Sequence, residues 1–164
     1  MTVVDRRGAL ITLGGALMGG CGYRPLRSGL AGNPRLRVAS SVARVASLQA
    51  LGEELATGAR AELARYEALS ASGLPLHLEV VRLEEVGEGD GVAADLPSAR
   101  GVRVRVVARG RIEGGDYETE DLEASEVLAT GSSPTSFEVA RSAAARSAAR
   151  KAGALVARAV LGLP

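Results

Sequence analysis

The stretch Val102–Ala129, VRVRVVARGRIEGGDYETEDLEASEVLA, predicts the antiparallel β-hairpin around which the rest of the fold is built. Before the turn, valine alternates with arginine, which is the period-two pattern of a strand with one buried face. Gly114–Gly115 supplies a two-residue turn that tolerates the positive φ angles of a primed hairpin. We therefore expect Val102, Val104 and Val106 to point towards the hydrophobic core.

The register of this hairpin determines which charged side chains meet. Arg105 would face Ala124 and would be the arginine with the least matched partner. Asp121 and Glu123 fit the inward face badly, so we expect a β-bulge near Leu122 to shift the register. Counted outward from the turn, the predicted pairs are Ile112–Tyr117, Arg111–Glu118, Arg109–Glu120, Val107–Leu122 and Arg103–Glu126.

Four arginines share the outward face of the first hairpin strand: Arg103, Arg105, Arg109 and Arg111. Opposite charges across two strands stabilise a sheet by roughly 0.2–1 kcal/mol per pair, and predicted carboxylates face three of the four arginines. Arginine also suits phosphate groups, because it donates two charge-assisted hydrogen bonds in parallel. Structural neutralisation is the favoured interpretation, and Arg105 is the preferred candidate for ligand contact.

Two further strands and a loop precede the hairpin. Residues Arg35–Ser41 alternate as a short strand, and Leu76, Leu78 and Val80 share one face of another. Residues 87–101 are rich in glycine and predict a loop between this second strand and the hairpin.

Two amphipathic helices complete the set of elements. The first begins with Ser47 as its N-cap and ends before Gly73, and the second has Ser133 as its N-cap and Pro134 as its first residue. The predicted apolar stripes are Leu48, Leu51, Leu55, Ala59, Leu63, Tyr66 and Leu69 in the first helix, and Phe137, Ala140, Ala144, Ala148, Ala152, Leu155 and Val156 in the second.

This order, β-α-β-β-β-α, predicts an α+β fold. We expect a two-layer sandwich in which two helices pack on one face of a four-stranded mixed sheet.

The N-terminal residues MTVVDRRGALITLGGALMGG have the layout of a secretory signal peptide, with a basic start, an apolar run and a small-residue end. The apolar run is shorter than the roughly 20 residues that a transmembrane helix needs. The next residue, Cys21, completes LMGGC, which resembles the lipobox of bacterial lipoproteins. The resemblance implies that Cys21 carries a diacylglycerol and an N-acyl chain. A buried core cysteine is the alternative.

The chain is therefore divided into a lipoprotein signal peptide at residues 1–20, a flexible lipid tether at residues 21–34 and a single domain at residues 35–164. Arg6 and Arg7 leave export by the twin-arginine route open beside ordinary export.

Composition excludes several classes of function. The predicted mature chain has equal numbers of acidic and basic residues, whereas a nucleic-acid-binding protein carries a strong basic excess. His77 is the only histidine, so a catalytic triad or a histidine-rich metal site lacks partners, and we expect an ordinary surface side chain. The acidic segment Glu84–Asp90 lacks the oxygen spacing of a calcium loop and predicts a solvated loop. We therefore expect neither an enzyme nor a metal site.

Taken together, the segments CGYRP at the anchor, Ser40–Leu69 and GSSPTSFEVARSAAARSAARKAGALVARAV resemble the LPS-assembly lipoprotein family LptE. The resemblance implies an outer-membrane lipoprotein, lipid-anchored and facing the periplasm, that plugs the lipopolysaccharide-exporting β-barrel LptD. It also implies help in folding this barrel and in delivering lipopolysaccharide, for which Arg105, Arg103, Arg109 and Arg111 are the candidate contacts. The alternative is an accessory lipoprotein of an ABC-type phospholipid transport system.

Overall fold

Four strands and two helices follow one another in the order β-α-β-β-β-α, which confirms the predicted α+β fold. The computed structural model describes residues 34–88, 101–115, 117–129 and 134–164, and these counts refer to those residues. The elements are β1 (Leu36–Ala43), a 3₁₀ turn (Ala46–Leu48), α1 (Gln49–Arg65), β2 (Leu74–Glu88), β3 (Gly101–Ile112), β4 (Leu122–Ala129) and α2 (Pro134–Val160).

The sheet is mixed, as predicted, and its strands lie in the order β1-β2-β3-β4. β1 and β2 are parallel, because α1 carries the chain back between them. The pairs β2–β3 and β3–β4 are antiparallel. Within the described residues, neither helix combines the length and the apolar character that a membrane span requires.

Both helices pack on one face of the sheet, α1 on β1 and β2 and α2 on β3 and β4. The predicted inward residues Leu76, Leu78 and Val80 of β2 are buried there, as are Val104 and Val106 of β3. The buried face of α2 consists mainly of alanines and valines, because the periodic positions of this helix carry small side chains. The core is therefore aliphatic and its two layers lie close together.

Glycine allows the two helices to touch through their backbones. A Cβ atom on Gly58 would lie 1.9 Å from the carbonyl oxygen of Arg150, and one on Gly153 would lie 2.0 Å from that of Leu55. Glycine in a helix costs about 1 kcal/mol relative to alanine. Here the close contact between the helices explains why it is present.

The first helix is shorter than its apolar stripe predicts. It ends at Arg65, Glu67 has a φ of 54°, and Tyr66 and Leu69 are each 38% exposed. The backbone N–H of Leu36 donates to the carbonyl of Ala68 at 2.7 Å, so the chain leaves the helix in order to pair with the start of β1. Tyr66 and Leu69 therefore do not continue the buried stripe.

The predicted N-cap Ser47 lies inside the 3₁₀ turn that precedes α1. α1 begins at Gln49 with Leu48 at its N-cap position, one residue later than predicted. The prediction that Ser47 caps this helix is therefore wrong.

The predicted loop begins later than expected. β2 continues through Gly87 and Glu88, and β3 begins at Gly101, because pairing between β2 and β3 reaches Glu88 and Gly101. Residues 89–100 lie outside the described residues, and so do Ser133 and residues 1–33, with the predicted signal peptide, Cys21 and nearly all of the tether. Pro134 is the first residue of α2, as predicted.

Candidate functional site

The four arginines lie on the face of the sheet opposite the helices, which we call the open face. Odd-numbered residues of β3 alternate with the buried Val104, Val106 and Ala108, so they point away from the helices. Val107 stands in the middle of this row and is only 2% exposed. We call the row formed by Arg103, Arg105, Arg109 and Arg111 the arginine column.

The hairpin register agrees with the prediction near the turn and departs from it further out. Ile112 N–H donates to the carbonyl of Tyr117 at 3.1 Å, and Arg111 pairs with Glu118. Ala108 then pairs with Leu122, so the chain after the turn holds one residue more than β3. This confirms the predicted bulge near Leu122.

The bulge changes the cross-strand partners of Arg103, Arg105 and Val107. Thr119 still pairs with Gly110, as its backbone N–H donates to the carbonyl of Gly110 at 2.8 Å and its hydroxyl accepts from the Gly110 N–H at 2.9 Å. The additional residue therefore lies between Thr119 and Leu122. The predicted pairs Val107–Leu122 and Arg103–Glu126 are wrong, and the observed pairs are Val107–Glu123, Arg105–Ser125 and Arg103–Val127.

Arg105 is matched by two carboxylates, which corrects the prediction that it is the least matched arginine. Its Nε lies 3.0 Å from Glu123 Oε1, and its Nη1 lies 3.7 Å from Glu84 Oε2. The buried Nε makes no hydrogen bond, so the contact with Glu123 is an ion pair of poor hydrogen-bond geometry. The prediction failed because it placed Ala124 opposite Arg105, whereas the bulge brings Glu123 alongside and the pairing of β2 with β3 brings Glu84.

Arg109 binds two carboxylates of the chain that follows the turn. Its Nε and Nη2 donate to Asp121 Oδ1 at 2.9 and 2.7 Å, and its Nη1 donates to Glu118 at 3.0 Å. The hydrogen bonds to Asp121 and then to Glu118 raise the pKa of Arg109 above its ordinary value. Arg109 therefore acts as a cross-strand tie, as the structural interpretation of the column predicts.

Arg111 differs from Arg105 and Arg109. It is exposed, and its side chain has no ion pair or hydrogen bond with any other residue that the structure describes. It lines a shallow concavity of about 280 Å³ on the open face, together with His77, Arg109 and Glu118. Among the contacts that the structure reveals, Arg111 is the arginine of the column whose donors are most available to an anion.

His77 forms the floor of this concavity and is held on both sides of its ring. Ser40 Oγ lies 2.7 Å from Nδ1, and Glu113 Oε2 lies 3.3 Å from Nε2. The side chain is 32% exposed, so it is more engaged than the ordinary surface histidine that the sequence predicts. Sequence analysis missed this arrangement because Ser40 reaches His77 only through the parallel pairing of β1 and β2.

Four basic residues of α2 form ion pairs with carboxylates: Arg141, Arg150, Lys151 and Arg158. Arg141 binds Glu85 of β2 and Glu138, and Arg150 binds Glu54 of α1. Lys151 binds Glu126 at 2.8 Å, and Arg158 binds Glu62 at 2.5 Å. No local pattern indicates these pairs, because most of the partners lie in other elements.

Two of these pairs shift the pKa of a carboxyl group. The hydrogen bond from Arg150 lowers the pKa of Glu54, and the bonds from Lys151 and then Ser147 lower that of Glu126. Both acids are therefore better stabilised as carboxylates in the folded protein.

The acidic segment that starts at Glu84 is not simply a solvated loop. Glu84 and Glu85 lie in β2 and are paired with arginines, while Asp90 lies outside the described residues. Within the described ranges no group of three or more His, Cys, Asp or Glu side chains could hold a metal ion. The groups assembled on the open face are guanidinium donors beside carboxylates, an arrangement suited to binding a polar or anionic group.

No protein-family model matches the chain, and no curated protein matches it. Among solved structures, the chain is similar to a minor lipoprotein from Acinetobacter baumannii, with a TM-score of 0.49 and 14% identity over 79% of this chain and 93% of that one. It is also similar to a protein from Caulobacter crescentus CB15 described as a lipoprotein, with a TM-score of 0.42 and 14% identity over 77% and 87% of the two chains. Likenesses of this size carry no conclusion about this chain.

Proposed function

We propose that this chain is an outer-membrane lipoprotein, acylated at Cys21, that assembles with and plugs the lipopolysaccharide-exporting β-barrel LptD. In this role it assists folding of the barrel and delivery of lipopolysaccharide to the cell surface. The observation that carries the proposal is the combination of LMGGC behind an apolar run with the element order β-α-β-β-β-α in the domain that follows. This is the order of the family that the sequence resembles.

In this proposal the open face contributes the contact with lipopolysaccharide, and the protein has no catalytic role. Phosphate groups require donors that are not already engaged, and Arg111 meets this requirement better than Arg105 or Arg109. Arg111 therefore replaces Arg105 as the preferred contact. Arg111→Gln should weaken binding of lipopolysaccharide. Arg60→Gln, at an exposed position of α1, is the matched control.

The lipid anchor is tested by Cys21→Ala. The wild-type chain should incorporate radiolabelled palmitate and fractionate with the outer membrane, whereas the variant should accumulate as an unacylated precursor. Labelling of the variant, or no labelling of the wild type, would exclude the lipobox interpretation.

The partner is tested by depletion and by co-purification in mild detergent. Depletion should reduce the amount of correctly folded, heat-modifiable barrel and weaken the exclusion of hydrophobic antibiotics. A barrel of outer-membrane density should co-purify with the wild-type chain. Inner-membrane transporter subunits in its place would favour the alternative role in phospholipid transport, and an unaffected barrel after depletion would contradict the proposal.

A further inference from the structure

A cleft opens in the helix layer, on the side of the sheet away from the arginine column. It lies where the first turn of α1, residues 138–146 of α2 and β2 come together, and its volume is about 300 Å³. Its floor is formed by Leu48, Leu51, Leu83 and Ala145, of which Leu51 and Ala145 are each 7% exposed. A small apolar site of this size is at the lower end of the roughly 300–1,000 Å³ typical of ligand pockets.

Charged side chains line the rim of the cleft, and not all of them form ion pairs. Arg141 binds both Glu85 and Glu138, so its guanidinium is engaged on both sides and these three side chains together carry one negative charge. Arg146 also lines the cleft, is exposed, and has no ion pair within 4 Å among the residues that the structure describes. Glu54 responds electrostatically to Arg146 but is hydrogen-bonded to Arg150. Arg146 therefore brings the rim to neutrality, and its guanidinium donors are the ones that remain unengaged beside the apolar floor.

We propose that this cleft binds an amphiphile that carries one alkyl chain and an anionic headgroup. The alkyl chain would lie on the leucines and Ala145, and the headgroup would accept hydrogen bonds from the Arg146 guanidinium. The cleft volume leaves room for one chain rather than several, which distinguishes this ligand from a lipid that inserts many chains together. The inference does not depend on the partner proposed above, because it rests only on the lining and charge of the cleft.

Two substitutions with matched controls test the cleft. Ala145→Leu fills the floor, and Ala143→Leu, on the exposed side of the same helix, adds the same bulk elsewhere. Arg146→Glu reverses the charge at one position of the rim. Arg60→Glu makes the same charge reversal at an exposed position of α1, away from the cleft. The predicted mature chain, residues 21–164 with Cys21→Ser, lacks the apolar run of the signal peptide and cannot be acylated, so it allows titration without detergent.

Isothermal titration calorimetry should show one site for dodecyl phosphate below its micellar concentration. Ala145→Leu and Arg146→Glu should each weaken binding at least about tenfold, which corresponds to about 1.4 kcal/mol, while both controls remain within about twofold. The neutral dodecyl maltoside should bind at least about tenfold more weakly than dodecyl phosphate. Circular dichroism verifies that each variant is folded, and if Ala145→Leu does not fold, Arg146→Glu and the neutral amphiphile decide the test.

A second experiment distinguishes whether the bound alkyl chain belongs to a free amphiphile or to a bilayer lipid. Binding of dodecyl phosphate without binding to phosphatidylglycerol vesicles assigns the site to a free single-chain amphiphile. Binding to both, weakened in both cases by Arg146→Glu, assigns it to one chain of a bilayer lipid. Unchanged affinity in Arg146→Glu, or equal affinity for dodecyl maltoside, would overturn the inference. Neither result affects the co-purification of a barrel, so the two proposals fail separately.

Discussion

The two faces of the sheet differ in what stabilises them, although β3 contributes side chains to both. On the helix side, Val104 and Val106 of β3 are completely buried, and the layers meet through alanine, valine and glycine. On the open face, Arg105 and Arg109 alternate with them and are each flanked by two carboxylates. The helix face is held by exclusion of water and close packing, whereas the open face is held by neutralisation of charge. Substitutions should therefore cost much more on the first than on the second.

The largest effect is expected at the helix–helix contact. Gly153→Ala should destabilise the fold by about 3 kcal/mol, the upper end of the usual cost of overpacking, because its Cβ would lie 2.0 Å from the backbone oxygen of Leu55. Gly87→Ala is the control, since a Cβ there has nothing within 4 Å, and it should change stability by less than about 0.5 kcal/mol. Urea denaturation of the unacylated Cys21→Ser chain measures both, and similar values for the two would show that the helices can move apart without loss.

The next effect compares two buried residues on opposite faces. Leu76→Ala on the helix face should cost about 2–5 kcal/mol through transfer and cavity terms. Val107→Ala on the open face should cost about 1.5 kcal/mol, since less apolar volume is removed and charged neighbours can close over it. The free energies of unfolding decide the comparison, and an equal or greater cost for Val107→Ala would mean that the open face also contains a packed core.

A smaller effect separates two arginines of the column. Arg105→Gln removes the cation between Glu84 and Glu123 and should cost about 1 kcal/mol. Arg111→Gln removes a cation that has no ion pair among the described residues and should cost less than about 0.5 kcal/mol. The denaturation midpoints of the two variants test this ranking. A larger loss of stability in Arg111→Gln than in Arg105→Gln would show that the ion pairs of Arg105 do not stabilise the fold.

The smallest effect is the response to acid. Glu54 and Glu126 have lowered pKa values in the folded state, so their contribution is present above the ordinary carboxyl pKa of 4.5 and is lost as pH falls below it. Glu126→Gln should reduce the difference in unfolding free energy between pH 7 and acidic pH by less than about 1 kcal/mol, since the pair with Lys151 is partly exposed. A larger acid loss in the variant than in the wild type would contradict this sign.

Local sequence patterns predict the structure correctly where the residues that determine a feature lie in one segment. The alternation at Leu76, Leu78 and Val80 predicts a strand with one buried face, and the structure confirms it. The turn glycines predict the pairing of Ile112 with Tyr117, although only Gly114 adopts a positive φ, of 78°. The misfit of Asp121 and Glu123 also predicts the bulge. Each of these features depends on residues that are neighbours in the chain.

Local patterns failed where a distant element supplies the partner. The end of α1 is set by pairing between Ala68 and Leu36 rather than by the glycine and proline that follow. The sequence predicts Arg105 as the least matched arginine because the register without a bulge places Ala124 opposite it, whereas long-range pairing of β2 with β3 brings Glu84 beside it. The cleft beside Arg146 has no signal in any one segment, since three elements contribute to its floor.

The sequence by itself determined the α+β class, the element order and the inward faces of β2 and β3, because periodicity along a segment fixes which side chains share a face. Only the tertiary structure decided that Gly58 and Gly153 serve a backbone contact and which arginines are neutralised. Those outcomes depend on distances between atoms far apart in the chain: Glu54 and Glu62 lie 96 residues from Arg150 and Arg158. Charge and close packing act through space, whereas a sequence pattern reports only what repeats along the chain.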